Sequence, residues 1–194
     1  MEKSKQKDLR FIKAKEKIAS AFKSLVQAKK FEDITVSALC KNAGIDRKTF
    51  YLHYKTLDDL LIEILDELNL EFARRLHGRN VSDLGTIVRE HIVFIQKKGK
   101  FFERIMTDSA YSYIASRNVR RFFAMYPALY EPLGRLDASE ANVVVTFINT
   151  SYFQMVTRWV QDGKKIPMER LINLVTDLIF KGIGDIVHST RNLS

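Results

Sequence analysis

A chain of 194 residues with 46% apolar and 28% charged content has the make-up of one folded domain or two small ones, and it is neither a disordered tract nor a membrane-spanning protein. Its formal net charge of +9 favours an anionic partner, nucleic acid or a membrane surface. The single cysteine, Cys40, cannot form an intramolecular disulfide, and the charged start MEKSKQKDLR has no apolar signal core, so the expected setting is a reducing cytoplasm.

The charge is uneven. Residues 1–60 hold 14 Lys+Arg against 8 Asp+Glu, and the rest hold 18 against 15. Residues 1–8 read as a solvated Lys-rich tail. From Phe11 to Ala28 the set Ile12, Ile18, Ala19, Phe22, Leu25 and Val26 predicts a helix with one apolar stripe. Lys29 to Asp33 forms a turn, with Phe31 as a plug for a small core.

Residues 34–61 read ITVSALCKNAGIDRKTFYLHYKTLDDLL. Thr35 is a good N-cap for a helix starting at Val36, because its hydroxyl accepts a backbone N–H left over at a helix start. Val36, Leu39, Cys40 and Ala43 share one face. Gly44 suits the left-handed conformation of a helix end, and Asp46 caps the next helix. Ile45 and Phe50 are expected inside, which leaves Arg47, Lys48, Thr49, Tyr51 and His53 on the outer side. Thr56 and Asp59 form a capping box for a long helix to His77. Lys55 lies just before its positive end, where a phosphate would bind. Two short helices joined by Ala43-Gly44-Ile45, with a basic, hydroxyl-rich and aromatic second helix, have the pattern of a helix-turn-helix DNA reader.

Further along, Leu84–Gln96 predicts a helix, Gly99 interrupts, and Phe101–Met106 is a short helical stretch. Ser112–Met125 follows, then a loop framed by Pro127 and Pro132. Residues 139–161 predict a helix despite the strand-prone run Val143–Ile148, because the apolar pattern continues through Trp159 and Val160. Gly163 ends it. Pro167 opens a final helix to about His188, at a position where its missing N–H costs nothing. The fold class is therefore all-α, with about nine helices. The last helix carries Leu171, Ile172, Leu174, Val175, Leu178, Ile179, Ile183, Ile186 and Val187, more than one apolar face. Its predecessor is apolar nearly all round. Two such faces predict a homodimer through the last two helices, packed as a four-helix bundle.

The stretch Ile34-Thr35-Val36, Ala43-Gly44-Ile45, Thr49-Phe50-Tyr51, His53-Tyr54 and Asp58-Asp59-Leu60-Leu61 resembles the DNA-binding domain of the TetR (tetracycline repressor) family. Tyr54 stands where the family usually has Phe. Leu57 stands where it often has Lys, and Lys55 is the substitute. Thr157-Arg158-Trp159-Val160, Gly163 and Pro167-Met168-Glu169 resemble one branch of the family in its C-terminal domain. The resemblance implies a helix-turn-helix domain over residues 8–56 and a ligand-binding and dimerisation domain over 57–194. It implies a bacterial, cytoplasmic transcriptional regulator, a dimeric repressor released from a palindromic operator by a small-molecule effector. The alternative is an activator or co-activator of the same fold that acts through protein contacts without an effector.

Under this reading Thr35, Tyr51, His53 and Lys55 contact phosphates, while Arg47, Lys48 and Thr49 face base edges. An apolar or aromatic effector would sit among Phe102, Met106, Tyr113, Phe122, Phe123, Tyr126, Phe147, Tyr152, Met155 and Trp159. No cofactor and no metal are expected. The chain has no HExxH motif, phosphate loop or nucleophile elbow, and His53, His77, His91 and His188 are scattered, so no enzyme is predicted. A membrane-surface role fits poorly, since the basic residues alternate with Thr and Tyr and do not face a broad apolar surface.

Overall fold

The computed structural model describes residues 2–77, 84–111, 113–114 and 136–189. These residues contain seven α-helices and no strand. They fall into two compact units, residues 1–68 with 100–115, and residues 69–99 with 116–194.

The first unit is built around α1 (Glu2–Ala28), α2 (Val36–Ala43), α3 (Arg47–His53) and the first part of α4 (Leu57–Leu76). Helix α1 begins at Glu2 and not at Phe11. The run Glu2 to Asp8 has no Gly or Pro and is rich in Lys and Gln, so it extends the helix by propensity without any apolar face. Ile18, Phe22, Leu25 and Val26 are buried as the stripe requires, but Ile12 is exposed. Also buried in this unit are Leu39 and Cys40 of α2, Phe50 of α3, and Leu60, Leu61 and Ile64 of α4. Each fully buried Leu, Ile or Phe contributes about 1.5–3 kcal/mol. Val36, Ala43 and Ile45 are only half-buried, because α2 and α3 are short and end at the surface.

Helix α5 spans Leu84–Thr107 and is counted as one of the seven. Gly99 interrupts its helical geometry with φ 64° and ψ −153°, so α5 is two helical segments that meet at a kink, as the sequence predicts. Only glycine holds that conformation without strain. The residues after Gly99 belong to the first unit, where Phe101, Ile105, Met106, Tyr111 and Ile114 are buried. The Tyr111 ring lies 4.7 Å from that of Phe31, which is half-buried in the turn Phe31–Asp33. The Tyr113 hydroxyl donates to Asp58 in the first turn of α4. The helix expected over Ser112–Met125 and the loop of Pro127 and Pro132 lie outside the described residues, apart from Tyr113 and Ile114, which are helical.

The second unit holds the end of α4, α5 up to Gly99, α6 (Ala138–Gln161) and α7 (Met168–Ser189). Asp137 caps α6 by accepting from Ser139 and Glu140 N–H groups, and Glu140 reaches back to complete the capping box. Helical continuity overrides the strand propensity of Val143–Ile148. Gly163 ends the turn after α6 at φ 72°, and the Trp159 indole donates to the Ile166 carbonyl at 2.8 Å. Helices α6 and α7 pack on each other, and Ile148, Tyr152 and Val156 of α6 and Leu171, Ile172, Val175 and Ile179 of α7 are buried.

Candidate nucleic-acid interface

The local chemistry that builds α2 and α3 is all present. The Thr35 hydroxyl accepts from Ala38 N–H at 3.1 Å, and Gly44 sits at φ 64°, ψ 42°. The Ile45 N–H bonds to the Cys40 carbonyl at 3.0 Å, which closes the turn. Asp46 Oδ1 accepts from Thr49 N–H at 2.7 Å. That bond holds the Asp46 carboxyl below its ordinary range. Thr56 and Asp59 exchange bonds of 3.0 and 3.1 Å at the start of α4.

Arg47, Lys48 and Tyr51 project from α3 into solvent, Thr35 and Lys55 are exposed on either side, and Thr49 is half-buried. Arg47 is folded back on its own surface. Its guanidinium lies 3.4 Å from Ser37 Oγ, 3.5 Å from the Tyr51 hydroxyl and 6.0 Å from the Tyr51 ring. Ser37 of α2 and Arg47 of α3 therefore form one polar surface, a link that spacing along the chain does not reveal.

His53 differs from the other outer residues. Phe11 of α1 covers its ring at 4.0 Å, and its Nδ1 is buried without a partner. Burial, and then the charge of Lys15, push its pKa down. The imidazole is therefore neutral at physiological pH, and any phosphate contact it makes is a hydrogen bond, not an ion pair. Leu52, 67% exposed, is a surface feature the apolar pattern missed. It lies one turn beyond Lys48 on the same side of α3. A bare apolar side chain on a basic face is the only available signal for it.

Tyr54 ties α3 to its neighbours. Its ring is buried, and its hydroxyl donates to Glu63 Oε1 at 2.7 Å. Glu63 Oε2 pairs with Lys15 of α1 at 2.9 Å. Burial first, then the Glu63 bond, hold the Tyr54 phenol protonated well above its ordinary pKa. A groove of about 730 Å³ lies beside this network, lined by Lys15, Glu16, Lys23, Tyr54, Glu63 and Glu67 among others. None of the residues expected for an effector lines it.

Those residues are divided. Phe102, Met106 and Tyr113 belong to the first unit, and Phe147, Tyr152, Met155 and Trp159 to the second. Met106, Tyr152 and Trp159 are buried, Phe102 and Met155 half-buried, and Tyr113 and Phe147 exposed. Phe122, Phe123 and Tyr126 lie outside the described residues. In the second unit His91 bonds to the Tyr152 hydroxyl, a residue spacing did not single out. Phe72 meets the His91 ring at 5.0 Å.

Among the described residues no group of three or more His, Cys, Asp or Glu is arranged to hold a metal, and no helix is long and apolar enough to cross a membrane.

No family model matches the sequence. Solved structures do match the fold. A TetR transcriptional regulator from Streptococcus agalactiae is 22% identical, covering 91% of this chain and 98% of its own, with a TM-score of 0.70. FadR from Bacillus subtilis, in complex with stearoyl-CoA, is 17% identical over 86% and 98% of the two chains, with a TM-score of 0.66. NalD from Pseudomonas aeruginosa, the secondary repressor of the MexAB-OprM multidrug efflux pump, is 18% identical over 88% and 96%, with a TM-score of 0.64. All three are transcriptional regulators. The chain has the fold of the TetR-family regulators.

Proposed function

We propose that the chain is a DNA-binding transcriptional regulator that reads its operator with α3. The observation that carries this is the pair of capped helices α2 and α3, with Arg47, Lys48 and Tyr51 exposed together on the second. Thr35, Tyr51 and Lys55 hold phosphates, and His53 adds a neutral hydrogen bond. Arg47, Lys48 and Thr49 face base edges, with Arg47 leaving Ser37 to reach a guanine. The functional division stays at residue 56, with residues 8–56 as reader and 57–194 as the dimerisation and effector part.

Dimerisation runs through α6 and α7. Val143 is 70% exposed on α6 and Leu178 55% exposed on α7, with Phe147 one turn beyond Val143. Apolar side chains left outside on two adjacent helices fit a second copy. The dimer represses, and a small apolar or aromatic effector releases it by favouring one separation of the two readers over another. NalD is a repressor and FadR holds an acyl-CoA, which supports this mode in proteins of the same fold. A mobility-shift titration of genomic fragments against the wild type and Tyr51→Phe tests the reading. Equal binding of every fragment by both proteins would overturn it.

A further inference from the structure

Helix α3 runs from Arg47 to His53, and Phe50 is its buried residue. Successive residues of an α-helix turn by about 100°. On that count Arg47 and His53 lie about 60° from Phe50, and Thr49 and Tyr51 about 100°. Lys48 and Leu52 lie about 160° from it, one on each side. These two side chains therefore point most directly away from the protein body.

Burial agrees with this count. Thr49 and His53 are half-buried, with the His53 ring against Phe11 of α1. Arg47 is turned onto Ser37 and the Tyr51 hydroxyl. Lys48 is exposed. Leu52 is 67% exposed, more than any other large apolar side chain described in the first unit. Scattered exposed leucines are ordinary on a protein surface. Leu52 is set apart by its place, beside a cation at the outermost line of a capped helix.

A helix lying in the major groove sets its outermost side chains against base edges. Leucine has no donor or acceptor, so it cannot hold a phosphate. Set against a base carbonyl or amino group, it would strip water and replace none of the lost hydrogen bonds. The one apolar group that the four bases present in the major groove is the C5-methyl of thymine. Chemistry thus leaves a single favourable base for Leu52.

We infer that Leu52 is a specificity-determining residue that selects thymine at one position of each half-site by packing on its C5-methyl group. This rests on the DNA-reading role of α3 proposed above. It adds an apolar contact to the charged and hydroxyl residues placed at the base edges.

The full chain selects its site from a random duplex pool, and each thymine of the enriched site is then replaced in turn by deoxyuridine, which lacks only the C5-methyl. Affinities at fixed salt are measured by mobility shift for wild type and Leu52→Ala, with helix content checked by circular dichroism. Leu52→Val, which keeps part of the contact, is the second variant if binding by the first is too weak to measure. At one thymine per half-site, loss of the methyl should weaken wild-type binding about fourfold. The same replacement should leave the affinity of Leu52→Ala unchanged, and should cost Leu52→Val less than wild type. Replacements elsewhere should act alike on all three proteins. An enriched site in which no thymine shows this coupling overturns the inference and leaves Leu52 against sugars or solvent. So does a Leu52→Ala protein that binds every duplex as wild type does. A wild-type pool with no enriched sequence overturns the inference together with the reading it rests on, so the two failures are distinguishable.

Discussion

Tyr54→Phe removes one atom from the network that anchors α3. The ring is 4% exposed, so Phe keeps the packing. What is lost is the bond from the hydroxyl to Glu63 Oε1 at 2.7 Å. A shielded bond to a charged acceptor contributes about 1.5–3 kcal/mol. The Glu63 side chain is 35% exposed and keeps its pair with Lys15, so water can replace part of what is lost. The expected cost is therefore about 1 kcal/mol. For a chain of this size that is a drop of about 2–4 °C in Tm. Urea denaturation followed by circular dichroism at fixed protein concentration measures it. The pH dependence gives a second readout. The folded-state pKa of Tyr54 is raised above its ordinary value of 10.0, so its contribution is fully present below pH 10 and is lost as pH rises further. The gap between wild type and Tyr54→Phe should thus be flat at neutral pH and shrink above pH 10. A variant as stable as wild type, or a gap that widens in alkali, refutes the network as an anchor.

Other expectations follow from the same geometry. Gly99→Ala forces a side chain into φ 64°, ψ −153°, and although a Cβ there meets open space, the backbone strain alone should cost about 1–3 kcal/mol in urea denaturation. His91 has its pKa pushed down to about 3 by burial, so its contribution is present above the ordinary 6.5 and is lost as pH falls below it. Thermal melts between pH 7 and 5 should show a steeper loss for wild type than for His91→Phe. Lys55→Ala should weaken binding to all sequences and lower the slope of log K against log salt by about 1, whereas Arg47→Ala should change preference at one base pair of each half-site. Phe147→Asp with Val143→Asp should shift the chain to monomer in sedimentation velocity if α6 and α7 are the dimer face.

The helix-turn-helix was readable because its signals are local. Thr35, Gly44, Asp46 and the Thr56–Asp59 pair each act within a few residues, so the structure forms their bonds where the pattern placed them. Longer-range facts were hidden. That the residues after Gly99 belong to the first unit depends on contacts of Tyr111 with Phe31 and of Tyr113 with Asp58, far back in the chain. The screening of His53 by Phe11 and the hold of Ser37 on Arg47 also cross between helices. The aromatic set chosen for an effector followed composition, which counts rings but not neighbours, and the structure divides it between two units. The His91 bond to Tyr152 carried no signal because a lone polar residue in a helical pattern looks the same whether or not it has a partner.

Selection of bound sequences from a random DNA pool, at fixed salt and with Arg47→Ala run in parallel, bears most directly on the claim that α3 is a DNA reader. Enrichment of a near-palindrome with half-sites about one helical turn apart, relaxed at one position per half-site in the variant, is the outcome this structure predicts. A wild-type pool with no enriched sequence would contradict it.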